Sequence, residues 1–298
     1  MKNFLEYFYN IKTSNIDENK KYYSFTYNNY LYRLYIYEEY DDINSLYNIS
    51  NSLSNDTLIS LIIKNKFNQI LTSYNGINYI LIKIFVNINK NITLEEIKYF
   101  DNSLSNPKVK TNWGMLWSNK IDYLEQFISE NGKKYPIIVD SFNYYVGMAE
   151  NAISYYNDID TSNIKSFISH KKIRIDDKVD AIYNPLNIIF DYKVRDIAEY
   201  IKISFFNNNY NIYNELNNYF KSNYLSYNEV MLLVARLLYP SFYFDLYEDI
   251  LLDKQDEKII LDYVSRTNDY EKYLRDMINY FRNMYDIPVI EWLKKKWG

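Results

Sequence analysis

Cysteine is absent from this 298-residue sequence, and histidine occurs once, at position 170. Without cysteine there is no disulfide, no thiolate nucleophile and no cysteine-based zinc or iron–sulfur site. A single histidine excludes a metal site built from several imidazoles. Five glycines, the first at position 76, leave no GxGxxG and no GxxxxGK[ST] segment. The signatures of dinucleotide-binding Rossmann folds and of P-loop NTPases are therefore missing.

The charge balance and the lack of long apolar runs exclude further classes. The formal net charge is −4, which argues against a nucleic-acid partner because phosphate neutralisation requires a basic surface. No stretch approaches the 18 consecutive apolar residues of a transmembrane helix. The sequence opens without the basic-then-apolar pattern of a signal peptide. We therefore expect no transmembrane segment and a cytoplasmic location when the protein is made.

The composition is otherwise that of a globular protein, with 48% hydrophobic and 24% charged residues. The first ninety residues predict mainly strands, arranged as two hairpins with a short helix in Asp41–Ser54 between them. Asn28-Asn29 and Asn75-Gly76 mark the two turns, because Asn and Gly tolerate positive φ. The strands predicted around these turns are Tyr22–Tyr27, Tyr30–Tyr37, Gln69–Tyr74 and Ile77–Val86.

Helical patterns dominate after residue 90. Thr93 with Glu96 and Ser226 with Glu229 have the spacing of capping boxes. Apolar residues then repeat every three or four positions, which predicts amphipathic helices. The residues that define these faces include Trp117, Ile121, Leu124, Phe142, Tyr145, Val146, Val194, Ile197, Ile201, Val230, Leu233, Leu274, Met277 and Phe281.

One stretch within the helical part, residues 164–192, has a different pattern. Ile164–His170 predicts a strand, Lys171–Asp180 a charged and solvated loop, and Ala181–Asp191 a second strand. The sequence therefore predicts an α+β protein with two lobes. A small β-rich lobe covers residues 1–90, and a larger, mostly helical lobe covers residues 91–298 and carries this β insert.

Three segments carry a resemblance to a known family: Ile121-Asp122-Tyr123-Leu124-Glu125, the stretch from Ser141 to Ala152 (SFNYYVGMAENA), and Val194-Arg195-Asp196-Ile197-Ala198-Glu199-Tyr200. In this order they resemble the endospore coat-associated, kinase-like family of Firmicutes (CotS/YutH type). That family belongs to the aminoglycoside phosphotransferase and choline kinase-like group. The resemblance implies a bilobal protein-kinase-like fold and is strongest between residues 93 and 205.

Active members of this group carry H-x-D-x-x-x-x-N in the catalytic loop, where the Asp acts on the acceptor hydroxyl and the Asn binds a metal ion. The resemblance places His170 at the start of this loop, Lys172 at the Asp position and Asp177 at the Asn position. Counting back twelve residues from Asp196 places Asn184 where a second Asp would hold Mg²⁺. A lysine cation cannot accept a proton, and an amide brings no charge to hold a metal. The resemblance thus implies a degenerate catalytic loop.

Alternatives stay open at this level. A loop shifted by a few residues would offer Asp176, Asp177, Asp180 or Asp191 as replacement carboxylates, and Asp191 is then a second candidate for the cofactor position. His170 on its own also fits an ordinary structural or exposed histidine. Asp196, at a helix start, is expected to cap backbone donors and support the catalytic loop. Neither a glycine-rich phosphate loop nor a lysine on the third strand is evident, since Lys83 comes too late.

Two hypotheses of different classes follow. The first is a catalytically inactive kinase-like protein that binds spore coat proteins, needs no cofactor and ends in the coat. The second is an active phosphotransferase that uses ATP and Mg²⁺ on an alcohol or sugar hydroxyl, for which the fold alone is weak support. An unrelated α+β protein of similar layout is a third interpretation. The oligomeric state and a specific coat partner are not indicated by the sequence.

Overall fold

The computed structural model describes residues 1–19, 21–38, 42–54, 59–86, 88–101, 105–106, 111–252 and 254–294. The strands are β1 (Asp17–Glu18), β2 (Tyr22–Tyr27), β3 (Tyr30–Ile36), β4 (Leu61–Ile63), β5 (Thr72–Tyr74), β6 (Ile77–Ile84), β7 (Ser105–Asn106), β8 (Ser166–His170) and β9 (Ile188–Tyr192). The helices are α1 (Lys2–Tyr9), α2 (Ile43–Ser54), α3 (Leu94–Asp101), α4 (Trp113–Asn131), α5 (Pro136–Asn157), α6 (Val179–Ile182), α7 (Val194–Phe206), α8 (Ile212–Phe220), α9 (Tyr227–Leu238), α10 (Ser241–Leu251), α11 (Ile260–Val264), α12 (Thr267–Arg282) and α13 (Glu291–Lys294).

Contacts between residues divide the chain into two units. The sheet unit consists of Met1–Glu96 and His170–Ile189, and the helical unit consists of Ile97–Ser169 and Phe190–Gly298. The segment His170–Ile189 therefore groups with the sheet, although it follows the first long helices in the sequence. This grouping does not decide the lobe boundary at residue 90 or the assignment of residues 164–192 to the second lobe, which remain predictions.

The sheet unit is built on an antiparallel sheet with the strand order β1-β2-β3-β6-β4, in which β5 also pairs with β6. Both predicted hairpins are confirmed. The turn between β2 and β3 holds Asn28 and Asn29 at φ 49° and 63°, and the turn before β6 holds Asn75 and Gly76 at 52° and 78°. These positive φ values are tolerated by Asn and cost Gly nothing. The short helix expected in Asp41–Ser54 is also present, as α2.

The first residues form a helix that the sequence analysis did not predict. Phe4 and Leu5 of α1 are buried against one face of the sheet, and the Phe4 ring lies 5.1 Å from the ring of Tyr79. The sequence analysis assigned no strand or helix to these residues. Aromatic residues favour strands over helices. Burial of the face that carries Phe4, a tertiary effect, therefore explains why this segment is helical.

The expected strand over Ala181–Asp191 is also only partly correct. Its first part is the helical turn α6 followed by a 3-10 turn, Pro185–Asn187, and the strand begins at Ile188. Two long-range hydrogen bonds fix the helical turn: Val179 N donates to Lys90 O at 2.9 Å, and Ser60 N donates to Tyr183 O at 2.9 Å. Because these bonds join residues about 90 to 120 positions apart, no local pattern could have indicated them. The strand expected up to His170 is confirmed as β8, in a sheet of order β7-β8-β9.

The helical unit packs α7 against α9, α4 against α5, and α5 against α9. The predicted apolar faces form its core, and Trp117 stacks on Tyr239 with ring centroids 4.4 Å apart. The second predicted capping box is complete: Ser226 Oγ accepts from Glu229 N, and the Glu229 carboxylate accepts from Ser226 N. At the first predicted capping box, the Glu96 carboxylate accepts a hydrogen bond from Thr93 N at 3.1 Å.

A buried charge network, Glu199 with Lys202, Arg236 and Ser241, lies inside this apolar core. Glu199 Oε1 accepts from Lys202 Nζ at 3.1 Å and from Arg236 Nε at 2.7 Å, and Oε2 accepts from Ser241 Oγ at 2.8 Å. Lys202 Nζ also donates to the Tyr239 carbonyl at 2.9 Å. The network joins α7, α9 and the start of α10. Burial lowers the pKa of Lys202 to about 8, although Glu199 opposes the change.

Within the described residues no single helix is both long and apolar enough to cross a membrane. Among the described helices one bent pair, α9 with α10, reaches that length and composition, and its two helices meet at a bend of 44°.

Candidate functional site

The loop that contains the expected catalytic positions follows β8 and belongs to the sheet unit. Asn187 closes it: its Nδ2 donates to Lys172 O at 2.9 Å and to Ala181 O at 3.1 Å, and its Oδ1 accepts from Lys172 N at 3.2 Å. Lys171 N donates to Asn187 O at 2.8 Å. One amide side chain thus fixes the backbone on both sides of the loop. The sequence analysis missed this role of Asn187, which only a contact across fifteen residues reveals.

His170 is the last residue of β8 and only 1% exposed. Its Nε2 lies 2.8 Å from the carbonyl oxygen of Ile182, so this nitrogen carries the proton and donates it. The imidazole therefore anchors the helical turn α6. Lys172, two residues further on at the expected position of the catalytic base, has a half-buried side chain.

Asp177, at the expected metal-binding Asn position, closes a tight turn. Its Oδ2 accepts from Arg174 N at 2.7 Å, and its own N–H donates to Arg174 O at 3.1 Å. Burial raises the pKa of Asp177 above its ordinary value, because desolvation outweighs the hydrogen bond from the Arg174 backbone and the Arg174 charge. A carboxylate that is harder to ionise and already accepts a backbone bond is a weaker metal ligand.

Asn184, at the expected second metal position, uses both ends of its amide within the sheet unit. Its Oδ1 caps the 3-10 turn by accepting from Leu186 N at 3.0 Å, and its Nδ2 donates to the Tyr35 hydroxyl at 3.4 Å. The side-chain oxygen of Asn184, which would have to coordinate the metal, therefore already caps this turn.

Arg33 is a candidate that the sequence analysis missed. It lies on β3, the strand that precedes α2. Its Nη1 donates to Asp180 Oδ2 at 2.5 Å. The signal was present, since Arg33 is the only charged residue from Tyr22 to Tyr37. Lys83, by contrast, lies on β6 with its Nζ 3.4 Å from the centre of the Tyr30 ring.

Asp191 lies in the helical unit at the end of β9 and is 1% exposed. Trp113 Nε1 donates to both of its carboxylate oxygens, at 3.1 and 3.0 Å, and Arg195 Nη1 donates to Oδ2 at 2.6 Å. Tyr192 N adds a fourth bond at 2.8 Å. This carboxylate is enclosed by protein donors, which matches a structural role and leaves little capacity for a ligand. Trp113 and Trp117 are both buried in the core.

Asp196 is fully buried in the first turn of α7. The N-cap of that helix is Lys193, so Asp196 is its third residue and lies at the helix start. Its role in capping backbone donors and supporting the loop remains a prediction. The described residues contain no group of three or more His, Asp or Glu side chains close enough to hold a metal ion.

Comparison with known proteins gives relatives by sequence and by fold. The family model described as "Spore coat putative kinase YutH" matches residues 2–277. The endospore coat-associated protein YutH of Bacillus subtilis (strain 168) is 26% identical over 292 residues, covering 85% of this chain and 86% of the relative.

Solved phosphotransferase structures share the fold at low sequence identity. An aminoglycoside phosphotransferase from Alicyclobacillus acidocaldarius superimposes with a TM-score of 0.62 at 10% identity, covering 91% of this chain and 92% of the other. A spectinomycin phosphotransferase in complex with ADP and spectinomycin gives 0.57 at 14% identity, with 93% of each chain covered.

These similarities confirm the predicted α+β, bilobal kinase-like fold. At 10–14% identity the phosphotransferase structures show the fold alone. The family match, by contrast, extends over nearly the whole sequence. The chain belongs to the YutH family of kinase-like spore coat proteins.

Proposed function

We propose that this protein is a component of the spore coat that acts by binding other coat proteins, and that its kinase-like fold no longer transfers phosphate. The coat assignment follows from the family and from the Bacillus relative, which is described as endospore coat-associated. The protein is made in the cytoplasm and then joins the coat. The residues of the loop, of strand β3 and of the expected metal positions support the loss of catalysis.

The observation that carries the proposal is Lys172 at the position of the catalytic base. The Asp of an active loop accepts a hydroxyl proton, and a lysine that is protonated at neutral pH cannot do so. Asp177, the carboxylate at the expected Asn position of the loop, is a poor substitute for the catalytic base. The Asp177 carboxylate already accepts a hydrogen bond from Arg174 N, and burial raises the pKa of Asp177.

The partner of the strand cation supports the same conclusion. In active protein kinases the β3 lysine pairs with a glutamate of the following helix. Helix α2 has the sequence INSLYNISNSLS and contains no acidic residue. Arg33 instead pairs with Asp180, so this cation is neutralised by the loop segment of its own unit.

The residues also do not fit Mg²⁺. This ion prefers carboxylate oxygens and keeps several waters, yet Asn184 brings no charge and Asp191 already accepts bonds from Trp113, Tyr192 and Arg195.

An ATP-turnover assay on the purified full chain tests the loss of catalysis. With Mg²⁺ and a panel of alcohol, sugar and aminoglycoside acceptors, ADP formation should equal that of a protein-free blank. Turnover that is abolished by Asp176→Asn, Asp177→Asn or Asp191→Asn would establish the active phosphotransferase instead.

A sporulation experiment tests the binding role. Spores that carry Lys172→Ala should assemble a normal coat, as should the matched control Lys221→Ala at an exposed lysine. Deletion of the whole protein should change the set of proteins extracted from the coat. A coat defect in Lys172→Ala spores, with the variant folded and present at normal levels, would contradict a purely structural use of this loop.

A further inference from the structure

An exposed group of aromatic residues lies where helix α1 meets the loop that follows β4. Tyr7, Phe67 and Tyr74 are 56%, 53% and 44% exposed. The half-buried Phe8 connects them, with its ring centre 4.8 Å from that of Tyr7 and 6.3 Å from those of Phe67 and Tyr74. Lys66 lies on the same surface, and its Nζ is 3.7 Å from the centre of the Tyr7 ring and 5.1 Å from that of Phe67. We call these five residues the aromatic patch.

The charge of Lys66 is available to a partner. Within the described part of the chain this ammonium contacts the two rings rather than a carboxylate. Glu6, the one acidic residue of α1, pairs with Lys12 instead, at 2.9 Å. Contiguous exposed apolar surface that is rich in aromatic residues is typical of a protein–protein interface. The patch therefore suits an apolar partner surface that also carries carboxylates.

A buried side chain holds the loop that presents Lys66 and Phe67. Asn65 is 4% exposed, and its Oδ1 accepts from Phe67 N at 2.9 Å and from Gln69 N at 3.0 Å. Lys66 N donates to Phe8 O at 2.8 Å, which ties the loop to the end of α1. All three bonds use backbone N–H groups, so they do not depend on the side chains at positions 66 and 67. A surface that is ordered before binding loses less entropy on association.

The exposed side of α4 has the composition that such a partner needs. Three of its apolar residues are 57%, 50% and 54% exposed, and two exposed carboxylates lie among them. At about 100° per residue, these five side chains fall within about a third of the helix circumference. We call this set the α4 face, and its members are Met115, Leu116, Asp122, Tyr123 and Glu130.

The α4 face and the aromatic patch have opposite charges. Lys66 is the cation of the patch, whereas the α4 face has two carboxylates and no cation. Lys120, the one basic residue of α4, is already paired with Glu248. The chain thus carries two exposed apolar surfaces that complement each other in charge.

We propose that the aromatic patch of one molecule binds the α4 face of a second copy of this chain. The rings pack on the apolar residues of the face and supply most of the affinity, and Lys66 meets the carboxylates and sets the orientation. Because the patch and the face are different surfaces, the contact is heterologous and generates a ring or an open filament. The inference deepens the proposed binding role in the coat and rests on it, and it names the protein itself as one partner.

Sedimentation velocity of the purified full chain tests the proposal. The protein is studied between about 1 and 100 µM, which spans strong to weak association. The weight-average mass should rise with concentration from the 36.2 kDa of one chain to at least about twice that value.

Two single variants separate the two surfaces. Phe67→Asp places a carboxylate in the aromatic patch, and Tyr123→Lys places an ammonium on the α4 face, so each new charge repels the partner surface. Each variant alone should stay monomeric at all of these concentrations. An equimolar mixture should form a dimer and stop there, because only the intact face of Phe67→Asp and the intact patch of Tyr123→Lys can join. Tyr210→Asp is the matched control and should assemble like the native chain, since Tyr210 is 94% exposed and lies outside both surfaces.

Any of four results overturns the proposal. These are a native chain that is monomeric at about 100 µM, a single variant that assembles like the native chain, a mixture that stays monomeric, and a control that fails to assemble. Far-UV circular dichroism checks that each variant is folded. If one is not, Lys66→Glu replaces Phe67→Asp and Leu116→Lys replaces Tyr123→Lys, with the same expected results.

These outcomes are separate from those of the proposed function. That function fails if the native chain transfers phosphate, or if deletion of the protein leaves the coat unchanged. The self-association is decided by the mass of the purified chain and its variants alone.

Discussion

Replacing Glu199 with glutamine should lower the free energy of unfolding of the helical unit by about 3–5 kcal/mol at pH 7. Glu199 is the anion shared by two buried cations, Lys202 and Arg236. A glutamine of the same shape leaves both cations in the core without a counter-charge. Breaking one member of a buried ion network is costly for this reason, even where the intact network adds little stability.

The pH dependence gives a second, independent signature. Burial by itself would raise the pKa of Glu199, but Lys202 and Arg236 outweigh it and lower this pKa to about 2. Because the folded value lies below the unfolded value of 4.5, the stabilisation is complete above that value and is lost as the pH falls towards 2. Glu199 should therefore contribute a loss of about 3 kcal/mol between pH 5 and pH 2.

Urea unfolding followed by tryptophan fluorescence is a suitable assay, because the three tryptophans that the structure describes, Trp113, Trp117 and Trp292, lie in the helical unit. Glu125→Gln is the matched control, since Glu125 is an exposed carboxylate on α4. The control should stay within about 0.5 kcal/mol of the native chain. The reasoning is refuted if Glu199→Gln loses less than about 1 kcal/mol, or if it keeps the native slope of stability between pH 5 and pH 2.

Three further substitutions test the packing and the caps by thermal unfolding. Gly114→Ala should destabilise by about 1–3 kcal/mol, because an added Cβ would lie 3.0 and 3.3 Å from two ring carbons of the buried Tyr156; unchanged or raised stability would show that the ring moves aside at no cost. Gly147→Ala, a helical glycine with nothing within 4 Å of an added Cβ, should instead stabilise by about 0.5–1 kcal/mol, and a loss would contradict the packing described. Ser226→Ala should cost about 1 kcal/mol through the lost cap on Glu229 N, and a loss below about 0.3 kcal/mol would mean that water replaces it.

Much of the fold could be predicted because the decisive signals are local. Asn28-Asn29 and Asn75-Gly76 specify tight turns through their tolerance of positive φ, and the spacing of Ser226 and Glu229 specifies a helix start. Helix α1 and the turn α6 were missed or assigned wrongly because long-range burial and hydrogen bonds decide them. Local propensity is a weak guide where tertiary contacts compete with it.

The candidate site was predicted less well than the fold. The positions of His170, Lys172, Asp177 and Asn184 came from a family pattern, and their roles as catalytic or degenerate residues remain predictions. Arg33 was missed because its importance depends on a partner 147 residues away in the sequence.

The family resemblance itself has a structural explanation. The segment Val194–Tyr200 that carries it contributes Arg195 to the enclosed Asp191, the buried Asp196, and Glu199 to the charge network of the core. Arg195 and Glu199 form ion pairs and Asp196 is buried, so substitution of these residues would be costly. The sequence signature of a kinase-like fold can therefore persist through residues that stabilise the helical unit, even when the residues of the catalytic loop are replaced.

Catalytic competence is most directly tested by the melting temperature of the native chain with and without ATP and Mg²⁺ at high excess. A ligand at one hundred times its dissociation constant stabilises a protein by about 2.7 kcal/mol, which corresponds to a rise of several degrees. The account predicts no Mg²⁺-dependent rise, because Lys172 and Asn184 stand where carboxylates would be needed. A clear rise that requires both ATP and Mg²⁺ would contradict it and would make phosphate transfer the leading function.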